Sequence, residues 1–113
     1  IDHVGETDLT TRLLTADRHL RPGGTVSGPS IFALADVSAY LMTLARIGPK
    51  ALAVTTNCSI DFMRKPAANT DLIAKTRLLK LGKLLSICDV LVYSEGLDDP
   101  VARASLTYAI PPR

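Results

Sequence analysis

The sequence lacks the residues on which several common protein classes depend. Among its 113 residues there is no Trp, and aromatic residues make up only 4%. Its two cysteines, Cys58 and Cys88, lie far apart and belong to no Cys/His cluster with zinc spacing. This pattern argues against a disulfide framework or a structural zinc site, and it favours small core residues of a reduced protein. No metal or redox cofactor is implied.

Charge and hydropathy argue against further classes. Lys and Arg number 13 and Asp and Glu 11, which gives a net charge of +2. That bias is too weak to indicate a nucleic-acid partner, and no basic stripe with interleaved aromatics accompanies it. The longest apolar run is interrupted by Asp36 and Arg46, which argues against a membrane span. No signal-peptide pattern stands at the start of the chain, so we expect a cytoplasmic protein.

The length fits one domain over residues 1–113, with residues 1–8 expected to be frayed because they show no periodicity. A chain this short buries only a modest fraction of its surface by itself. A second subunit is a natural source of additional core, so we expect a homo-oligomer.

One long apolar helix is predicted in the first half of the chain. The helix is predicted over the stretch SIFALADVSAYLMTLARI, residues 30–47, with Ser27 or Ser30 as its N-cap and Gly48–Pro49 as its end. Its apolar residues run around most of the circumference, so we expect the helix to be buried on most sides. A carboxylate, Asp36, stands in the middle of this segment. Burying an unpaired acid is costly, so Asp36 needs either a structural partner or a function.

Strand patterns surround the helix. A turn-rich loop precedes it, Gly82 marks a hairpin turn, and strands are predicted over 9–20, 51–62, 72–81, 84–95 and 101–110. The strand over 51–62 alternates in hydrophobicity and is expected to be half-buried. Short turns between the later strands favour an antiparallel meander. These elements predict an α+β protein in which a curved antiparallel sheet of about five strands wraps one long central helix.

The segments HLRPGGTVSGPSIFALAD, residues 19–36, and VTTNCSIDFMRKPA, residues 54–67, resemble the hotdog fold. Within that fold they resemble the PaaI-like (phenylacetate-pathway type) acyl-CoA thioesterases. The resemblance implies hydrolysis of an acyl-CoA to a free acid and coenzyme A, without a cofactor. It also implies a homodimer or homotetramer in which the pantetheine arm lies between subunits.

The chain departs from the family pattern at three positions. Ser27 stands where the family usually has His before the loop glycine, and Pro29 replaces the second loop glycine. Arg21 stands where many relatives have Asn near the reaction centre. The family spacing of eight residues between Gly28 and Asp36 is kept.

Thioester hydrolysis explains why Gly28 and Asp36 matter. A backbone N–H at a helix start can polarise a carbonyl, and glycine allows a ligand to approach it closely. A carboxylate can attack the carbonyl directly or take a proton from water. Eight helical residues separate the two by about 12 Å, too far to serve one carbonyl. Gly28 of one subunit facing Asp36 of the other across a two-fold axis would complete two equivalent sites, as the resemblance also implies.

Further site residues are expected around this pair. Tyr40 lies one helical turn after Asp36. Thr55 matches a Ser or Thr that relatives use to position water, and Asn57 is expected on the same strand face. Ser27 and Pro29, on either side of Gly28, are also expected to contact the substrate. Arg64 and Lys65 are expected to bind the coenzyme A phosphates.

Plainer interpretations stay open for each of these residues. Asp36 could be a structural acid bound to the backbone or to Tyr40, and Gly28 a turn glycine. Ser27 could only cap the helix, and Arg64 could be one of two solvated loop charges. As whole-protein alternatives, the sequence allows a non-catalytic acyl-CoA-binding module, an enoyl-CoA hydratase-type enzyme on the same fold, and a structural dimer without a ligand.

Overall fold

The structure is a computed structural model that describes residues 3–14, 20–21, 25–26, 28–47, 54–64, 66 and 70–110; for 20–21 and 25–26 it describes the backbone alone. The described elements are one helix and eight strands. In chain order they are β1 (His3–Val4), β2 (Asp8–Leu13), β3 (Leu20–Arg21), β4 (Thr25–Val26), α1 (Gly28–Ile47), β5 (Val54–Phe62), β6 (Leu72–Leu81), β7 (Leu85–Ser94) and β8 (Ala102–Ala109).

Six of the strands form one antiparallel sheet in the order β1-β2-β6-β7-β8-β5, and β3 pairs with β4 separately. The strands β6, β7 and β8 follow one another as the predicted meander. The strand β5 pairs with β8 at the far edge and not with β6, its successor in the chain. The expectation of about five strands corresponds to the five long ones, and β1 adds a sixth within the segment expected to be frayed.

Turn residues explain how the meander closes. The amide of Gly82 donates to the carbonyl of Leu85 over 2.8 Å, which places the β6–β7 turn where the sequence predicts it. Gly96, in the turn after β7, has a φ of 83°. L-residues with a side chain rarely adopt that conformation, so glycine is the residue that this turn favours.

The core lies between α1 and the concave face of the sheet. Alternate residues of β6, β7 and β8 point towards the helix and are buried, as the period of two predicts. The buried apolar cluster joins helix and sheet; its largest fully buried members are Tyr108, Leu9, Met42, Leu72, Leu106, Val90 and Val92. Both cysteines are free thiols; Cys88 is buried and Cys58 is partly buried.

The expectation that α1 is buried on most sides is wrong for the single protomer. The sheet covers one face of the helix and leaves the other open, so that Phe32 is 39% exposed and Val37 53% exposed. By length and composition alone α1 could cross a membrane. A core helix passes the same test, and α1 packs its Ile31, Leu34 and Met42 into the core of the protein. The argument against a membrane span therefore rests on the packing of α1 into the core, and not on the charges at Asp36 and Arg46.

The expectation that the 51–62 strand is half-buried is also not met. Within the described range most side chains of β5 are exposed, and only Cys58 and Ile60 are partly buried against the core. The reason is its position: β5 is the last strand of the sheet and pairs on one side alone, with β8. An edge strand presents unpaired backbone groups to any second strand.

A register shift in β5 changes which side chains face the helix. Thr55 pairs with Tyr108, but Asn57 pairs with Thr107, so the pairing slips by one residue between them. Adjacent residues of β8 point to opposite faces, and Tyr108 is the one that points to α1. Thr55 therefore faces the helix, and Asn57 lies on the outer face of the sheet.

Candidate active site

The carboxylate of Asp36 projects from α1 towards β5 and β8, and two hydroxyl groups from these strands bind it. Tyr108 Oη is 2.7 Å from Asp36 Oδ1 and donates to it. Thr55 Oγ1 donates to the same oxygen over 3.1 Å. Asp36 is therefore partnered but only partly buried, and the partner is Tyr108 and not Tyr40. The predicted pair of Asp36 and Thr55 is brought together by the fold.

The Tyr108 phenol is held in a dry environment. The side chain is 2% exposed, and its hydroxyl also lies 2.7 Å from the main-chain oxygen of Asp36. Burial, and next the hydrogen bond to the Asp36 carboxylate, raise the pKa of Tyr108 far above its ordinary value, with a smaller opposing effect from the Thr55 hydroxyl. The phenol therefore stays protonated and serves as a permanent hydrogen-bond donor to Asp36.

Gly28 is the first residue of α1, so its N–H is one of the helix-start amides that lack an intrahelical partner. The end of β5 lies beside it: a Cβ built on Gly28 would have the Phe62 ring as its nearest neighbour, with Cζ at 3.5 Å and Cε1 at 3.7 Å. Those are ordinary van der Waals distances, so packing against the residues that the structure describes does not require glycine here.

Gly28 and Asp36 cannot meet at one carbonyl within a single protomer. Both belong to the continuous helix α1, and eight residues of helix correspond to about 12 Å. A reacting carbonyl needs its polarising donor and its attacking group within about 3 Å each. Within one chain Gly28 and Asp36 therefore lie too far apart to act on the same carbonyl.

Aromatic and thiol groups surround the carboxylate. Tyr40 is partly buried one turn after Asp36, and its ring centroid is 6.1 Å from that of Tyr108. Cys58, on β5, is close enough to Asp36 to feel its charge. Partial burial, and next the Asp36 carboxylate, raise the pKa of the Cys58 thiol. This thiol is therefore a poor nucleophile at neutral pH and lines the site as a small protonated group.

The structure describes two of the other predicted site residues, Pro29 and Asn57, and places neither in contact with Asp36. Pro29 lies exposed in the first turn of α1, as its fixed φ favours. Asn57 was expected to share a strand face with Thr55, and that expectation is wrong because the register shift turns Asn57 to the outer face. Ser27 and Lys65 lie outside the described residues, so their expected substrate contacts stay predictions.

Arg64 is engaged with the turn before β8. Its Nε donates to the carbonyl of Pro100 over 2.8 Å, and its Nη1 is 3.6 Å from Asp99 Oδ2. The pair is half-exposed, so its contribution to stability is small. A phosphate could compete with Asp99 for the guanidinium, and the expected coenzyme A contact of Arg64 stays a prediction.

Tyr108 is the residue of this centre that the sequence analysis did not identify. In the sequence it appears as one apolar position in the alternating pattern of β8. A signal was available: it is the only aromatic residue of that strand, and a tyrosine in a buried row needs a partner for its hydroxyl. The identity of that partner, 72 residues away, depends on the fold.

Comparison with known proteins agrees with this fold. The family model of the thioesterase superfamily matches residues 23–101. A candidate thioesterase from Silicibacter sp. TM1040 superposes with a TM-score of 0.93 at 58% identity, covering 98% of this chain and 77% of its own. A thioesterase from Haemophilus influenzae gives 0.89 at 17% identity, covering 99% and 77%. A Streptococcus mutans protein bound to acetyl CoA gives 0.82 at 23% identity, covering 95% and 83%.

No match was found among curated protein sequences. The family model nevertheless covers more than half of the chain. This chain therefore belongs to the thioesterase superfamily, and its long helix packed against a curved six-stranded antiparallel sheet is the hotdog fold.

Proposed function

We propose that this protein is an acyl-CoA thioesterase of the PaaI-like type that hydrolyses an acyl-CoA thioester to a free acid and coenzyme A. The observation that carries the proposal is the Asp36 carboxylate, which Tyr108 and Thr55 hold while it stays only partly buried. Membership of the thioesterase superfamily supports the reaction class. A Streptococcus mutans protein of the same fold binds acetyl CoA, which supports the choice of coenzyme A thioesters as substrates.

The proposed enzyme is a homodimer, or a homotetramer built from two such dimers, with its sites between subunits. The exposed edge strand β5 supports this arrangement, because it carries the apolar Val54 and Phe62, 61% and 54% exposed, beside unpaired backbone groups. Pairing two copies of β5 about a two-fold axis would bury these side chains. It would also allow Gly28 of one helix to approach Asp36 of the other.

The proposed reaction uses each group for one task. The Gly28 N–H donates a hydrogen bond to the thioester oxygen and stabilises the negative charge that develops there. Asp36 of the other subunit either attacks the carbonyl carbon or takes a proton from a water that attacks it, and Thr55 orients that water. A carbon–oxygen bond forms and the carbon–sulfur bond breaks. If Asp36 attacks, water then hydrolyses the resulting anhydride; in both routes the released thiolate gains a proton.

The remaining site residues keep supporting roles in this proposal. In the proposed groove between Gly28 of one subunit and Asp36 of the other, Tyr40 contacts the acyl group, and Ser27 and Pro29 shape the end beside Gly28. Arg64 and Lys65 bind the phosphates of coenzyme A, and no metal or other cofactor takes part. Asn57 lies on the outer face of the protomer, away from Asp36, and has no role in the proposed reaction. We propose the cytoplasm as the compartment in which the enzyme works.

One second candidate has a specific observation in its favour. Ser27 stands where the resemblance places a His, and a serine cannot act as an acid or base at neutral pH. A non-catalytic module that binds acyl-CoA without hydrolysing it would need only the groove and the helix-start amide. The two candidates differ in whether coenzyme A is released.

A thiol-release assay over a panel of aliphatic and aromatic acyl-CoAs tests the proposal. Wild type is compared with Asp36→Asn and with Asp61→Asn, an exposed β5 carboxylate that pairs in register with Arg103. We expect turnover of at least one substrate by wild type and Asp61→Asn, and a loss of more than about 100-fold in Asp36→Asn. Thermal stabilisation by acyl-CoA without thiol release would support the binding module.

A further inference from the structure

The hydroxyl of Tyr108 contacts two oxygens of the same residue. It lies 2.7 Å from Asp36 Oδ1 and 2.7 Å from the Asp36 main-chain oxygen. A donor placed between a side chain and its own backbone restricts the torsion angles that separate the two oxygens. The orientation of the carboxylate relative to α1 is therefore set by Tyr108, and not only by the rotamer preference of an aspartate in a helix.

The two oxygens of the carboxylate differ in their surroundings. Both side-chain donors, Tyr108 and Thr55, bind Oδ1. Within the part of the chain that the structure describes, no hydrogen bond reaches Oδ2. One oxygen is thus held by the protein, and the other is left for a substrate or a water molecule. Because Asp36 is only partly buried, its free oxygen is open to solvent, which is the arrangement that an attacking or water-activating carboxylate needs.

Tyr108 is itself rigidly placed. It belongs to an inner strand, with β5 on one side and β7 on the other, where it pairs in register with Thr55 and Ser86. The Tyr40 ring lies beside it, and the side chain is almost fully buried. Groups on such elements hold geometry more closely than groups on loops do. The raised pKa of the phenol keeps its proton in place over the whole working range of an enzyme.

We propose that Tyr108 is a positioning residue for thioester hydrolysis: it fixes Asp36 through Oδ1 so that Oδ2 is presented to the reacting carbonyl or its attacking water. This inference rests on the proposed function and adds to it. Tyr108 does not touch the substrate. Its effect therefore passes entirely through Asp36, and it affects the rate of the chemical step more than substrate binding.

Tyr108→Phe removes the hydroxyl alone, and the Asp36 main-chain oxygen keeps its helical partner in the middle of α1. Tyr93→Phe is the matched control, because Tyr93 lies on the opposite face of the sheet under Lys75. Thiol release is measured for both variants in the wild-type background and in Asp36→Asn. We expect Tyr108→Phe to lower kcat by about 10- to 100-fold with KM within about threefold, and Tyr93→Phe to change neither.

The Asp36→Asn background separates positioning from a structural role. If Tyr108 acts through Asp36, adding Tyr108→Phe to Asp36→Asn lowers the residual rate by less than about twofold. An equal loss in both backgrounds, or a wild-type kcat in the single variant, overturns the inference while leaving the proposed function intact. Absence of thiol release from wild type overturns both. Melting temperatures, expected to fall by no more than about 5 °C, confirm that each variant is folded.

Discussion

Replacing Gly28 by alanine tests whether glycine is required at this position for folding stability or for catalysis. Among the described residues, a Cβ at this position would meet only the Phe62 ring, at 3.5 and 3.7 Å. Neither distance is a clash, and no positive φ is recorded at Gly28. Alanine also reduces the conformational entropy of the unfolded chain, a gain of about 0.4–1 kcal/mol where the backbone accepts it. We therefore expect Gly28→Ala to melt at the wild-type temperature or up to about 5 °C above it.

The same substitution should impair catalysis. A carbonyl oxygen bound to the Gly28 N–H would sit about 2.9 Å from the nitrogen, and an added methyl group crowds the approach to that position. Alanine keeps the N–H, but a methyl group that displaces the reacting carbonyl by about 1 Å costs about 100-fold in rate, so we expect a loss of about that size in thiol release. Differential scanning fluorimetry and the acyl-CoA assay are run on the same preparation.

Gly82→Ala is the matched control for this experiment. The nearest atom to a Cβ at Gly82 is the Leu85 carbonyl oxygen at 3.8 Å, so the turn accepts alanine without a clash. We expect this control to keep both its activity and its melting temperature. If Gly28→Ala keeps kcat/KM within about threefold of wild type, the reacting carbonyl does not approach Gly28 closely and that part of the mechanism is refuted.

Three further predictions concern the surroundings of the site. Asp36→Asn should accelerate modification of Cys58 by a thiol reagent at fixed pH, because the Asp36 charge raises the pKa of that thiol. Above pH about 10 the phenol of Tyr108 ionises in the unfolded chain but, because its pKa is raised, stays protonated in the folded protein. Wild type should therefore lose up to about 1.4 kcal/mol of folding stability per pH unit in this range, and Tyr108→Phe should lose less. Gly96→Ala should destabilise the fold by about 1–2 kcal/mol because of the positive φ, and Gly82→Ala serves as its control.

Each of these predictions has an outcome that contradicts it. An unchanged labelling rate of Cys58 in Asp36→Asn would mean that the carboxylate and the thiol do not interact. Parallel alkaline unfolding curves for wild type and Tyr108→Phe would place the phenol in solvent. A Gly96→Ala melting temperature equal to that of the Gly82→Ala control would argue against the left-handed turn.

The order and extent of the main elements follow from sequence pattern. Gly48–Pro49 predicts the end of α1 at residue 47, and the Gly82 hairpin lies where its flanking period-two segments place it. The first turn of the helix begins two residues earlier than the apolar run, at Gly28, because Pro29 suits a first-turn position. These features depend on local chemistry, which a single sequence records.

Features that depend on distant pairing could not be predicted in this way. The exposed edge position of β5 results from its pairing with β8 and not with its neighbour β6. The register shift that separates Thr55 from Asn57 is a one-residue difference that alternation alone does not reveal. The contact between Tyr108 and Asp36 joins residues 72 positions apart. That Gly28 and Asp36 share one helix was predictable because it depends on local sequence, and their catalytic roles stay predictions.

The central claim is that one site combines Gly28 of one subunit with Asp36 of the other. Coexpressing Gly28→Ala and Asp36→Asn chains with different affinity tags allows the mixed dimer to be purified through both. In that dimer one site carries both substitutions and the other carries neither. We predict thiol release at about half the wild-type rate per dimer, well above either parent variant. A mixed dimer as inactive as its parents would contradict the intersubunit site.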